Sequence, residues 1–109
     1  MTRTPIRYAK ESSVESGTVS DALRIGVISL KMASRTDTGW PDRVFLIPGG
    51  RPLFIEFKRP GEVPRALQEH RRDTLEALGY NYACCDSRES ALAHVAKALE
   101  ASRRPAQGS

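Results

Sequence analysis

The stretch Gly39-Trp-Pro-Asp-Arg-Val-Phe-Leu-Ile-Pro-Gly-Gly-Arg-Pro-Leu-Phe-Ile-Glu-Phe-Lys58 decides the fold. Two apolar-rich runs, Arg43 to Ile47 and Pro52 to Lys58, flank Pro48-Gly49-Gly50. That spacer suits a three-residue hairpin loop with glycine available for the left-handed position. Along the second strand, Leu53, Ile55 and Phe57 point one way, and Phe54, Glu56 and Lys58 the other. If Ile47 faces Arg51 across the loop, Asp42 lies opposite Glu56 on the same face. Their β-carbons are then about 4.5–5.5 Å apart.

Two carboxylates held that close repel one another, and folding alone has no use for the arrangement. A hard divalent cation shared by both removes the repulsion. Lys58 projects from the same face, where an ammonium can orient a water and offset charge developing on a phosphate. Taken singly, an Asp before a strand is a common turn residue, and Glu-x-Lys is a common edge-strand charge pair. Their convergence across one hairpin is what separates them from those readings.

Outward from the hairpin, Glu11 to about Ile25 has Val14, Thr18, Ala22 and Ile25 at helical steps, with Gly17 weakening it. Gly26 opens the strand-like run Val27 to Met32, and Arg35 to Gly39 is a polar loop. Pro64 is expected to open a helix as a first-turn proline, with Leu67, Arg71, Leu75 and Leu78 on one face and Gly79 as its stop. Tyr80 to Cys85 is a short strand. Asp86-Ser-Arg-Glu89 has the form of a capping box before a last helix that carries Leu92, Val95, Ala96 and Leu99. The order is α-β-β-β-α-β-α, an α/β fold on a mixed sheet flanked by helices. Residues 11–101 form the single domain, between a flexible N-terminus over 1–10 and a flexible basic tail over 102–109.

The 109 residues suffice for one domain, and 39% hydrophobic with 28% charged residues is globular rather than disordered. No apolar run approaches the ~18 residues of a membrane span, and the basic start lacks the apolar region of a secretory leader. Membrane and secreted classes are excluded on this reading. Cys84 and Cys85 are adjacent and poorly placed to bridge, so they are expected to be buried, reduced core thiols of a cytoplasmic protein. The net charge of +4 is carried by 13 arginines and 4 lysines, which favours a phosphate-bearing partner. Arg35 and Arg59 flank the segments that hold the carboxylates and are the preferred phosphate contacts, while Arg43, Arg51, Arg65, Arg71 and Arg72 suit solvated faces equally well. Trp40 fits packing under the loop better than stacking on a base.

Pro41-Asp42 followed by Glu56-Phe57-Lys58 resembles the PD-(D/E)xK nuclease signature. With Gly39, the Pro48-Gly49-Gly50 turn, Gly61, Gln68 and Gly79, the chain from about Glu11 to Leu99 is similar to the virus-type replication-repair nuclease (VRR-NUC) domain. The resemblance implies a restriction-endonuclease-like core and a Mg2+- or Mn2+-dependent phosphodiesterase. Asp42, Glu56 and the Phe57 main-chain carbonyl would hold the metal, and Lys58 would serve the nucleophilic water. Gln68 would position Lys58 or the scissile phosphate, and Glu15, with Glu11 second, would be the acid of the first helix. Val63 stands where the family usually has a capping Ser or Thr. Stand-alone relatives, typical of phages, act as homodimers on branched DNA, which implies a Holliday-junction resolvase. The first helix and strand, through Val14, Val19, Leu23 and Ile28, are the expected dimer interface. The alternatives are a non-catalytic DNA-binding or assembly module on the same fold, and a nicking or end-processing repair nuclease.

Overall fold

In the computed structural model, which describes residues 11–32 and 38–103, seven elements follow in the expected order. They are α1 (Glu11–Arg24), β1 (Ile28–Lys31), β2 (Arg43–Leu46), β3 (Leu53–Phe57), α2 (Ala66–Ala77), β4 (Asn81–Cys85) and α3 (Arg88–Arg103). The sheet runs β1-β2-β3-β4. β1, β2 and β3 pair antiparallel, and β4 joins β3 in parallel after the α2 crossover.

The hairpin register is the one expected from the turn. Arg43 pairs with Ile55, Val44 with Phe54 and Phe45 with Leu53, which sets Asp42 opposite Glu56 just past the β2 end. Gly49 takes the left-handed conformation at φ 72°, and the Gly50 N–H closes the turn on the Ile47 carbonyl at 3.0 Å. Period-2 alternation then divides the sheet into two unlike faces. Phe45, Leu53, Ile55, Phe57, Ala83 and Cys85 are buried with Val14 and Ala22 of α1 and with Ala91, Val95 and Leu99 of α3. The other face is covered by α2 only over β3 and β4. Among the described residues nothing covers it on β1 and β2, where Ile28 is 59% and Leu30 53% exposed beside an exposed Leu46.

Several local expectations are corrected. α2 begins at Ala66 with Arg65 as N-cap, so Pro64 precedes the helix instead of opening it. Its buried line is Gln68 and Leu75, while Leu67 and Leu78 are exposed, because the site beneath α2 is polar. α3 is capped by Ser87, whose hydroxyl accepts the Ser90 N–H at 3.1 Å, and not by Asp86. α3 also runs through Arg103, beyond the expected domain end. Cys85 is buried but Cys84 is exposed, since adjacent strand residues face opposite ways. Val14 lies in the core and is unavailable to an interface.

At Gly17 the Arg88 side chain passes close over α1. A β-carbon there would stand 2.8 Å from the Arg88 side chain, which crosses α1 to pair with Asp21 at 2.6 and 2.8 Å. Phe45 is fully buried and is among the largest such side chains. Phe45→Ala is therefore expected to cost about 3–5 kcal/mol, read as a lowered urea midpoint at an unchanged denaturant slope.

Candidate active site

Asp42 ends the loop that enters β2. Its carbonyl accepts the Met32 N–H at 2.9 Å, and its Oδ2 accepts the Phe57 N–H of β3 at 2.7 Å. The carboxylate thus caps a backbone donor at the place where the β2–β3 ladder runs out. Burial holds the Asp42 carboxyl above its ordinary range despite that hydrogen bond, and the charge of Glu15 adds to the rise.

Glu56 projects from the face opposite the apolar core and is only 4% exposed. Its Oε2 accepts a hydrogen bond from Gln68 Nε2 at 2.8 Å and lies 3.7 Å from Lys58 Nζ. Burial, then the charge of Asp42, pushes its carboxyl up from 4.5 to about 7, against the pull of Lys58. Lys58 is itself buried, and its N–H continues the parallel ladder to the Cys85 carbonyl at 2.9 Å.

Gln68 is the third residue of α2. Its Oε1 accepts the Arg65 N–H at 2.9 Å, which caps the helix, while its Nε2 serves Glu56. An amide can do both jobs. A glutamate at this position could cap the helix but would set a third negative charge against Glu56. The absent Ser or Thr cap is thereby offset by Gln68, although the helix starts later than expected.

The acids of α1 lie beside this centre. Glu15 Oε2 is 2.7 Å from Arg43 Nε and 3.4 Å from Lys31 Nζ, and its charge acts on Asp42. Glu11 faces Arg59 Nε at 3.9 Å, and its charge acts on Glu56. Among the described residues, no three His, Cys, Asp or Glu converge on one point. A cation here would have two side-chain carboxylates, Asp42 and Glu56, and would draw its other ligands from main chain, water or substrate. Two facing carboxylates that burial, and for Glu56 the charge of Asp42, hold at a raised proton affinity suit a hard divalent ion.

Of the basic residues expected around the site, Arg35 lies outside the described residues. Arg59 is exposed, and its N–H is held by Glu62 Oε1 at 3.1 Å. Arg43 serves Glu15, Arg51 donates to the Gly79 carbonyl at 2.7 Å, and Arg72 pairs with Asp73 and Glu76. Arg71 belongs to this basic set and to the helix face expected to carry Leu67, Leu75 and Leu78. Its guanidinium lies 4.5 Å over the Trp40 ring, and its Nε donates to the Thr38 carbonyl at 2.9 Å. Its three-residue spacing from Gln68, which puts both on one side of α2, was the available signal.

No protein-family model matches the sequence. A curated protein of Acyrthosiphon pisum secondary endosymbiont phage 1, described as "Putative nuclease p44", is 37% identical over 84 residues, covering 77% of this chain and 90% of that protein. Among solved structures, one described as "VRR_NUC domain" superposes with a TM-score of 0.67 at 22% identity, covering 83% of this chain and 94% of its own. Another, "VRR_NUC domain protein", has a TM-score of 0.72 at 15% identity, covering 87% and 92%.

The raised carboxyls give the metal-free protein a definite pH dependence. Between 4.5 and about 7, folded Glu56 keeps a proton that the unfolded chain has lost. Stability therefore falls as the pH rises through that window, and Asp42 adds to the fall in the same direction. Thermal melts in EDTA are expected to show Tm decreasing from pH 4.5 to 7, with Glu56→Gln removing most of the slope.

Proposed function

The chain belongs to the VRR-NUC family of nucleases, and on that premise we propose that it is a Mg2+- or Mn2+-dependent endonuclease hydrolysing DNA phosphodiester bonds. The observation that carries this reading is the buried Glu56 opposite a half-buried Asp42, with Lys58 Nζ 3.7 Å from Glu56. Asp42, Glu56 and the Phe57 carbonyl would hold the cation, which supplies Lewis acidity toward the phosphate and lowers the pKa of water. Lys58 would orient the attacking water and stabilise charge gathering on the phosphate oxygens. Gln68 keeps Glu56 turned toward the shared site, and Glu15, with Glu11 beside it, would complete the acidic rim. Arg35 and Arg59 are proposed as phosphate contacts.

Glu56→Gln is expected to abolish cleavage while leaving DNA binding intact or tighter, because it removes a ligand and a negative charge together. Lys58→Ala should slow cleavage by roughly 10²–10⁴-fold with metal still bound. Lys58→Arg should not rescue it, since a planar fork cannot take the place of a compact ammonium. Cleavage of labelled DNA with Mg2+, Mn2+ or EDTA checks all three, and undiminished turnover by Glu56→Gln overturns the site.

We further propose a two-fold homodimer acting as a Holliday-junction-type resolvase. One chain has one site, and a four-way junction requires two incisions on opposing strands. The face of β1 and β2 on which Ile28, Leu30 and Leu46 are exposed supports a second copy as its occupant. No helix among the described residues is long and apolar enough to cross a membrane. With a phage relative, the cytoplasm of an infected bacterium is the proposed compartment. The expected results are a solution mass near twice 12.0 kDa and paired incisions in four-way DNA, with linear duplex cut poorly. Leu30→Lys should give monomers that bind metal but no longer make paired cuts. A wild-type protein that is monomeric at micromolar concentration and prefers linear ends removes the resolvase and leaves the nuclease.

A further inference from the structure

The two carboxylates of the site belong to segments that electrostatics drives apart. Glu56 sits inside β3, with neighbours on both sides in the sheet. Asp42 sits at the end of a loop, just before β2 begins. Asp42 itself is held by the Phe57 and Met32 N–H groups, and the residues that lead into it are held by α2. Gly39 is buried with φ 76°, and a β-carbon there would stand 2.9 Å from the Leu67 main-chain carbon and oxygen. One residue on, the Trp40 ring lies under the Arg71 guanidinium at 4.5 Å. Arg71 Nε also donates to the Thr38 carbonyl at 2.9 Å. Pro41, between Trp40 and Asp42, is fully buried. The same helix holds the other carboxylate through Gln68 Nε2. Leu67, Gln68 and Arg71 thus lie within about one turn and reach both halves of the site.

We infer that Arg71 is a positioning residue for metal binding: by clasping residues 38–40 to α2, it keeps Asp42 at the distance from Glu56 that a shared cation requires. The inference rests on the metal-dependent reading above and assigns Arg71 a role other than contact with DNA. Outer partners that orient metal ligands typically account for 10–100-fold in affinity. Arginine is suited to this clasp because its planar fork can stack on an indole and donate in-plane at once, whereas lysine offers only a point charge.

The test titrates Mn2+ into metal-free protein and reads free Mn2+ by electron paramagnetic resonance, using the full chain. Arg71→Ala is expected to weaken Mn2+ binding about 10-fold or more while saturating Mn2+ restores turnover. Arg71→Lys should behave like the alanine variant. Trp40 is the only tryptophan, so its emission reports the loop directly. It should shift to the red and become more open to acrylamide in Arg71→Ala. Should that variant not fold, Trp40→Leu removes the same stack at an exposed position and carries the same expectation for Mn2+. Unchanged Mn2+ affinity in a folded variant overturns the inference, as does weakened DNA binding with metal affinity intact. A wild-type protein that binds no Mn2+ overturns the metal-dependent reading itself, a result distinct from either.

Discussion

Two like charges held face to face across one hairpin set the terms for this molecule. Neither Asp42 nor Glu56 is free to turn into solvent, because Asp42 is bonded to the Phe57 N–H and Glu56 is buried beneath α2. Burial first, and then the repulsion from Asp42, push the Glu56 carboxyl up to about 7. The surroundings offset it piecemeal: a backbone donor for Asp42, an amide and an ammonium for Glu56, and Arg43 and Lys31 for the neighbouring Glu15. Among the described residues, no buried side-chain polar atom is left without a partner. The strain is therefore one of charge and not of missing hydrogen bonds, which is the kind a cation relieves.

The layers follow from that demand. α1 and α3 cover the apolar face of the sheet and build the core with small and branched side chains. α2 covers part of the opposite face and buries only Gln68 and Leu75, so its burial is modest and its role is to hold groups in place. Gln68 links helix cap and carboxylate in one side chain, so the helix start and the site geometry cannot be altered separately. Beyond the part that α2 covers, no described residue lies over β1 and β2, and Ile28, Leu30 and Leu46 stay exposed.

The hairpin and its two acids were legible in the amino-acid order because both depend on short-range rules. A glycine turn of defined length sets the register, and strand alternation then sets the face of every residue in it. Gly79 was legible for the same reason, ending α2 at φ 86°. The start of α2 was not, since proline is compatible both with the first turn of a helix and with the residue before its cap. Cys84 was misplaced because an apolar run in an edge strand does not reveal which face is left uncovered.

The sequence by itself therefore determined the element order, the hairpin register and the identity of the paired carboxylates with Lys58. Only the tertiary structure decided what surrounds them: Gln68 on Glu56, Arg43 on Glu15, and Arg71 on the loop that carries Asp42. The first set rests on turn geometry and on a two-residue period, both local properties of the chain. The second rests on how helices separated in sequence by tens of residues dock on a sheet. That docking is set by the packing of whole surfaces, and the spacing within one helix shows which side chains share a face but not what that face meets.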